Sequence, residues 1–500
     1  MTDGIVVGAL DQGTGGTRFV VFDERGRPVS KAFTAHQHRT RSSDRIEYDP
    51  LRLWGCATDA IRRGLVEADV DSGQLRALGI SSQRQTLLAW EAATGDPVTP
   101  ALSWQDRRGA DVVGALTPDE RALVRERTGL EPDAYFAAPT ATRLLDERGD
   151  GTDVRARAAA GEVLLGTIDS WLLYNLTGTH ATDVTNAAQT MLFDVRELGW
   201  DEDLLALFDV PRAALPTVRP SSDPEGFGTT DPNGVLNAAV PITGVLGDQQ
   251  AALLGRSAFR DGDAKVTYGT GNFFLQNTGT DPVEAGDLLT TIWFQRAGER
   301  PWYGLEGPVF ATGAVLEWLQ TTGILENMDR LDRIVATDES AESVYFVPSF
   351  GGTGAPTWAS DLGTAILGMT RDTRQEDVVR AAVEAIAFGT RAVIEAAEAA
   401  TGVEHDRLMV DGGAVRHDDF LQSQADLLGR SLVRSDVTQT TALGAGFAAG
   451  LAVGVWDSRA ELCDCRPAGQ TFAPSDAAEA FDEKYRRWRD VVDAVTDVSV

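Results

Sequence analysis

Two stretches of this chain repeat one plan: 9-ALDQGTGGTRFVVFD-23 and 265-KVTYGTGNFFLQNTG-279. In each, a β-rich run enters Gly-Thr-Gly and leaves through aromatic and apolar residues, the pattern of a strand, a tight turn and a second strand. A chain that carries this hairpin twice reads as two related α/β halves, each lending a glycine-rich turn to a common cleft. Around the first copy, Ile5–Leu10, Phe19–Phe22 and Leu75–Ile80 read as strands, and Leu51–Val66 and Pro118–Arg127 as helices. The polar, glycine-containing stretch 255-GRSAFRDGDA-264 is the expected junction, which gives an N-terminal domain over 1–255 and a C-terminal domain over 256–500. Beyond it, Thr373 and Glu376 have capping-box spacing, Val379, Val383 and Ile386 mark one helix face, and Gly402 is the expected C-cap. A strand at Arg407–Val410 then runs into Asp411-Gly412-Gly413.

Composition narrows the class of function. At 500 residues and 43% apolar content, the chain supports more than one core. The formal net charge is −30, and of 45 basic residues only Lys31, Lys265 and Lys484 are lysines. Such an acidic surface repels nucleic acid and suits a very salty cytoplasm, so we expect a halophilic source and no nucleic-acid partner. The N-terminal stretch carries Asp3 and Asp11 rather than the pattern of a signal peptide. The uncharged run Val437–Trp456 contains four glycines and reads as a tightly packed buried helix, not an integral membrane segment. Cys56, Cys463 and Cys465 make no disulfide framework or zinc site. The expectation is a cytoplasmic protein.

The chemistry gathers at the turns. A glycine-rich turn exposes backbone N–H groups that form an anion-binding concavity. Thr14, Gly15 and Gly16 offer such donors, Arg18 offers a planar fork for phosphate oxygens, and Asp11 is a hard oxygen ligand suited to magnesium. The bland alternative is a hairpin whose Asp and glycines only satisfy turn geometry. Neither a Walker A loop nor a dinucleotide fingerprint is present: no lysine follows a glycine, and Gly13-Thr14-Gly15-Gly16-Thr17-Arg18 ends in arginine and leads to a strand. In 242-ITGVLGDQQAALLG-255, Asp248 opens an apolar helix. It can serve as an N-cap, as a general base aimed into the crevice beyond the strand ends, or as both. Two further clusters combine polar and aromatic groups, 81-SSQRQTLLAW-90 with 103-SWQDRR-108, and Tyr135-Phe136. They suit a small polyhydroxy molecule, with Arg84, Gln85 and Trp104 among the candidate contacts. An ordinary strand and loop with solvated arginines is the competing reading.

These stretches, in order, resemble the FGGY family of carbohydrate kinases, and within it the members that act on glycerol. The resemblance rests on 10-LDQGTGGTR-18, 166-GTIDSWLLYNLTG-178, 190-TMLFD-194, 247-GDQQAALLG-255, 268-YGTGNF-273, 411-DGGAV-415 and 352-GTGAPTWASDLGTAILGMTR-371. It implies an α/β fold of two actin-like, ribonuclease-H-like domains that close over ATP·Mg²⁺ and a polyol. It places Asp11 at the metal, Thr14, Gly15, Gly16, Arg18 and Thr270 at the terminal phosphates, and Gly313 and Gly413 at the nucleotide. Arg84, Tyr135, Asp248 and Gln249 fall on polyol-binding positions, Phe273 covers the substrate's carbon edge, and Asp248 falls on the catalytic base. A homodimer or homotetramer is also implied. The sequence departs from the family at several points. Gln85 stands for a glutamate, Thr140 for a lysine, Glu317 for a glutamine near the nucleotide, and His417 for an asparagine near the adenine; the Gly-Trp usual before Glu47 is missing. Gln85 therefore leaves open another small polyol or a ketose as acceptor. Two readings are of a different class: a nucleotide-driven conformational protein needs no polyol pocket such as Asp248 with Arg84 and Tyr135, and a catalytically silent sensor has no use for the retained Asp11 and Asp248.

Overall fold

The computed structural model describes residues 4–42, 44–146, 153–310, 312–336, 343–360, 362–466, 468–475 and 481–497. Its first main sheet runs Ile242–Gly247, Leu75–Ser82, Val6–Gln12, Gly16–Asp23, Pro28–Ala35. The first three strands are parallel, and the last two form an antiparallel meander that starts from Val6–Gln12. The second main sheet runs Leu289–Phe294, Trp302–Val309, Asn272–Gly279, Ala264–Tyr268, Arg407–Asp411, Ser431–Ser435, Gly469–Phe472. Around Ala264–Tyr268 the same plan recurs, with an antiparallel meander on one side and two parallel strands on the other. The repeated hairpin is thus the leading edge of a repeated topology. A third, five-stranded sheet, containing Leu87–Glu91 and Val163–Thr167, flanks the first half and carries the loops with Trp104 and Tyr135.

Val6–Gln12 is buried at every position, as a central strand covered on both faces must be. Its register pairs Asp11 with Arg18 and Gln12 with Thr17 in the hairpin, so the strand runs two residues past the expected end and Asp11 lies within it. The apolar run that raised the membrane question is the buried helix Thr440–Ala452. None of the described helices is long and apolar enough to cross a membrane. This helix belongs to the second half yet packs on the first half's sheet and on the helix Asp248–Gly255. Small residues make the crossing possible: a Cβ on Gly444 would stand 1.8 Å from the carbonyl oxygen of Ala251, and one on Gly79 would stand 2.1 Å from that of Ala445.

One expected cap differs. The long helix spans Gln375–Thr401, and the carboxylate that reaches back is Asp377, whose Oδ2 accepts from Arg374 N at 2.8 Å. Thr373 Oγ1 instead accepts from Thr370 N at 2.8 Å, and Glu376 pairs with Arg330. Gly402 ends the helix at φ 69°, the left-handed conformation expected of a C-cap glycine.

Candidate active site

The ends of both main sheets meet at one cavity of about 230 Å³. Thr14 and Gly15 of the first hairpin and Thr270 and Phe273 of the second line it from opposite sides. Arg84, Gln85, Trp104, Tyr135, Asp248 and Gln249 form most of the remaining wall, with Gln83, Thr267 and Gly269 completing it. At about 30 Å³ per water, this is room for roughly seven or eight waters, the scale of a short polyol with one phosphoryl group.

The first hairpin is braced from behind. Trp104 Nε1 donates to Thr14 Oγ1 at 3.1 Å, and the Tyr48 hydroxyl donates to the Thr14 carbonyl at 2.9 Å. An indole N–H only donates, so the Thr14 hydroxyl keeps its own hydrogen for an acceptor in the cleft. Gly16 is fixed by packing, since a Cβ there would stand 2.3 Å from the Phe33 ring. Behind the turn, Arg18 Nη1 donates to Asp11 Oδ2 at 2.8 Å and Ser81 Oγ to Asp11 Oδ1 at 3.1 Å. Burial pushes the Asp11 carboxyl above its ordinary value; Arg18 and Ser81 pull it back, and Asp411 across the cleft adds to the rise.

Asp248 is the first residue of its helix, one position inside the Gly247 cap, and its Oδ1 accepts from Gln249 N at 2.8 Å. The carboxylate is 26% exposed toward the cleft and stands 3.5 Å from Arg84 Nε. Its pKa is raised by burial, lowered by Arg84 and Lys265, and raised again by Asp11. The strand end that aims it is fixed by Thr185, whose Oγ1 accepts from Gly247 N at 2.9 Å and donates to the buried Asp183 at 3.0 Å.

Arg84 is held by a residue from the second half. Its Nη1 and Nη2 donate to the two oxygens of Glu306 at 2.6 and 2.5 Å, with both side chains buried. The guanidinium lies 5.9 Å from the Phe273 ring centroid, and Trp104 meets Phe273 and Tyr135 edge-on. Rings and fork together make a wall that is apolar on one side and hydrogen-bonding on the other. Burial raises the Tyr135 hydroxyl's pKa, which keeps it a neutral donor and acceptor.

The remaining predicted residues lie around this cavity rather than on it. Gly313 begins the helix Gly313–Thr321 directly on the second hairpin, its N–H donating to the Gly269 carbonyl at 3.0 Å, where a Cβ would stand 2.6 Å from that oxygen. Gly412, at φ 102°, closes on Tyr268 in the same way, and Gly413 faces open space. Glu317 is exposed on the Gly313 helix, and His417 Nδ1 pairs with Asp332 Oδ2 at 3.0 Å.

Of the neighbouring arginines, Arg107 pairs with Asp133 at 2.6 Å, and Arg108 is buried between Asp106 and Glu47. They are structural, and not solvated as the competing reading had it.

Lys265, Thr267, Asp411, Glu306 and Gln189 were not anticipated as site residues. Lys265 is fully buried; its Nζ donates to Gln249 Oε1 and, at 2.5 Å, to Thr267 Oγ1, which donates to Asp411 Oδ1 at 2.5 Å. A lysine kept in a chain that otherwise uses arginine was the available signal. Glu306 and Gln189 carry none, because only the folded chain brings them to Arg84 and Gln85.

Two α/β halves of one topology, glycine-rich hairpins facing a carboxylate, and a polar–aromatic wall define a phosphotransferase-type cleft of the actin-like fold. The sequence profile of the N-terminal domain of the FGGY family of carbohydrate kinases matches residues 6–255, and that of its C-terminal domain matches 264–453. The chain belongs to this family. It is 48% identical to glycerol kinase of Haloferax volcanii, over 98% of each chain, and 40% identical to that of Mycolicibacterium gilvum, again over 98% of each. Among solved structures, Plasmodium falciparum glycerol kinase with ADP is similar at a TM-score of 0.86 and 30% identity, covering 98% of both chains. Xylulose kinase of Lactobacillus acidophilus shares the fold at a TM-score of 0.84 and 19% identity, covering 99% of both.

Proposed function

We propose that this protein transfers the terminal phosphoryl group of ATP to a terminal hydroxyl of glycerol, giving glycerol 3-phosphate and ADP. The observation that carries the reading is the placement of Asp248 between the two hairpins and beside Arg84, at the head of a cavity sized for a short polyol. The glycerol kinases of Haloferax volcanii and Halobacterium salinarum, each 48% identical to this chain, support the choice of acceptor.

In this reading Arg84, Gln85, Tyr135 and Gln249 hold the polyol's hydroxyls while Phe273 and Trp104 cover its C–H edge. Asp248 accepts the proton of the attacking hydroxyl late in transfer; burial favours that protonation, and Arg84 and Lys265 keep the group ionised beforehand. Thr14 and Thr270 offer hydroxyl and backbone donors to the transferring phosphoryl group, where charge develops. Arg18 steadies Asp11. The residues present fit magnesium: Asp11 and Asp248 are hard oxygen donors, and Asp11 raises the proton affinity of Asp248, a repulsion that a dication relieves. When bound with the nucleotide, the ion supplies neutralisation of phosphate charge. Gly413 leaves the backbone bare where the nucleotide would pass, and Gly313 lets its helix start close on the second hairpin beside it. Closure of a 1–255 domain on a 256–500 domain excludes water as competing acceptor.

A coupled ADP-release assay in molar KCl, run over glycerol, erythritol, xylitol and xylulose, tests the proposal. Glycerol is expected to give the highest kcat/KM. Faster turnover of the tetritol or the pentulose overturns the choice of glycerol, and ADP release indifferent to every polyol overturns the kinase reading itself.

A further inference from the structure

Gln85 reaches the cavity from a strained backbone. Its φ of 61° lies in the left-handed region, which is strained for any residue with a side chain. The strain places Arg84 and Gln85 side by side on the same wall. The Gln85 side chain is then held by a chain of hydrogen bonds whose polarity is forced. Glu306, engaged by both nitrogens of Arg84, can only accept. It accepts once more from Gln189 Nε2 at 3.3 Å, and that nitrogen also donates to Thr291 Oγ1 at 3.0 Å. With its nitrogen committed, Gln189 has only its carbonyl oxygen to offer, and Gln85 Nε2 donates to that oxygen at 2.7 Å. The second Gln85 N–H is taken by the Tyr135 hydroxyl, so the atom Gln85 offers to a substrate is its own carbonyl oxygen. Arg84, Gln85, Gln189 and Glu306 are each 3% exposed or less, so water does not compete for these bonds.

We infer that Gln189 is a specificity-positioning residue: it fixes the Gln85 amide as a hydrogen-bond acceptor, so that the site takes a hydroxyl, and not a carbonyl, at the substrate oxygen next to the reacting one. The inference rests on the polyol-kinase reading and deepens it. A free glutamine accepts from a hydroxyl or donates to a ketone equally well. Turning the Gln85 amide over here would set its oxygen against the Gln189 oxygen across a 2.7 Å contact. Gln85 therefore acts as a carboxylate would toward the substrate, without adding a second negative charge beside Glu306. A glutamate at this position would meet the Gln189 carbonyl oxygen with an oxygen of its own. Asp248 receives the reacting hydroxyl and touches Arg84; Gln85, the next residue, meets the next oxygen along the substrate.

The test compares glycerol with dihydroxyacetone, which differ only in that inner oxygen, using the full-length chain. The intact enzyme is expected to prefer glycerol by at least about tenfold in kcat/KM, the value of one hydrogen bond gained against one misdirected. Gln189→Met frees the Gln85 amide to turn. It should raise KM for glycerol about five- to tenfold, leave kcat within about threefold, and bring the preference down to about threefold or less. In a Gln85→Glu background the amide has no orientation to fix. Gln189→Met should there leave the preference unchanged and cost glycerol turnover nothing further. Should Gln189→Met fail to accumulate, Thr291→Val removes one anchor of the Gln189 nitrogen at constant volume and should shrink the preference by a smaller factor. Equal losses on both substrates, or additive losses in the double variant, mark a merely structural role and overturn the inference. Absence of glycerol phosphorylation by the intact enzyme overturns the proposed function instead.

Discussion

Glu306→Gln is the perturbation that tests most of the site at once. Glu306 is fully buried and meets Arg84 through two bonds, at 2.6 and 2.5 Å, across the join between the two halves. An amide keeps the volume but presents one oxygen and one NH₂, so one of the two Arg84 donors faces another donor. Breaking a buried ion pair by removing one partner costs about 3–5 kcal/mol, because the other charge stays buried. The nearest remaining carboxylate is Asp248, 3.5 Å from Arg84 Nε. The guanidinium is expected to turn toward it, lowering the proton affinity of the base and drawing it off the line of attack. If even half of the cost appears in the transition state, about 2 kcal/mol, kcat falls on the order of thirtyfold. KM for ATP should hold within about threefold, because the phosphate hairpins are untouched. Steady-state kinetics with each substrate varied in turn, together with urea unfolding, read both effects. A variant within twofold of the parent in kcat and unchanged in unfolding midpoint would refute the view that Glu306 sets the Arg84–Asp248 geometry.

Lys265→Met removes two charge-assisted bonds, each worth about 1.5–3 kcal/mol, and is expected to lower kcat/KM for the polyol by more than about tenfold; full activity would show that Gln249 and Thr267 need no cation behind them. Gly413→Ala places a Cβ in open space at φ −70°, so thermal stability should be unchanged while KM for ATP rises several-fold; an unchanged KM removes Gly413 from the nucleotide site. Burial pushes the fully buried Asp169 from 3.8 up to about 6, so the fold favours its protonated form. That contribution is complete below about pH 4 and is lost as pH rises through about 6, some 3 kcal/mol in all. Asp169→Asn should therefore gain stability relative to the parent between pH 4 and 7, and parallel urea-midpoint curves would refute the shift. With a net charge of −30, the melting midpoint should climb between 0.1 and 1 M KCl, where the screening length falls from about 10 Å to about 3 Å; a maximum in dilute buffer contradicts the salty-cytoplasm reading.

What the sequence made legible follows a physical division. The hairpins were readable because a tight turn between strands leaves a local signature, and the recurrence of Gly-Thr-Gly at 13–15 and 269–271 pointed to a duplication that the matching sheet topologies bear out. Helix existence was readable from periodicity. Helix starts were less so: Thr373 and Glu376 have the spacing of a cap, but Thr373 Oγ1 turns back to Thr370 N, and Asp377, one residue further on, caps the Arg374 N–H instead. The glycines of Thr440–Ala452 signalled close packing without naming the partner, which lies in the other half of the chain. The same limit governs the site. Residues that line the cavity sit at turns and strand ends, where composition is unusual, and Asp248, Arg84 and Thr14 stood out for that reason. Residues that aim those groups need be distinctive only in three dimensions: Glu306 is a glutamate in an ordinary strand, Gln189 follows two alanines, and Thr185 is one threonine among many. Gln85 shows why this matters. Read alone, its amide is ambiguous between donor and acceptor, and the acceptor's chemistry is ambiguous with it. The ambiguity ends only at Glu306, whose pairing with Arg84 fixes the polarity of Gln189 and through it that of Gln85. Discrimination between a polyol and a ketose is thus written in a hydrogen-bond chain that crosses between the two halves, and no window of sequence contains it.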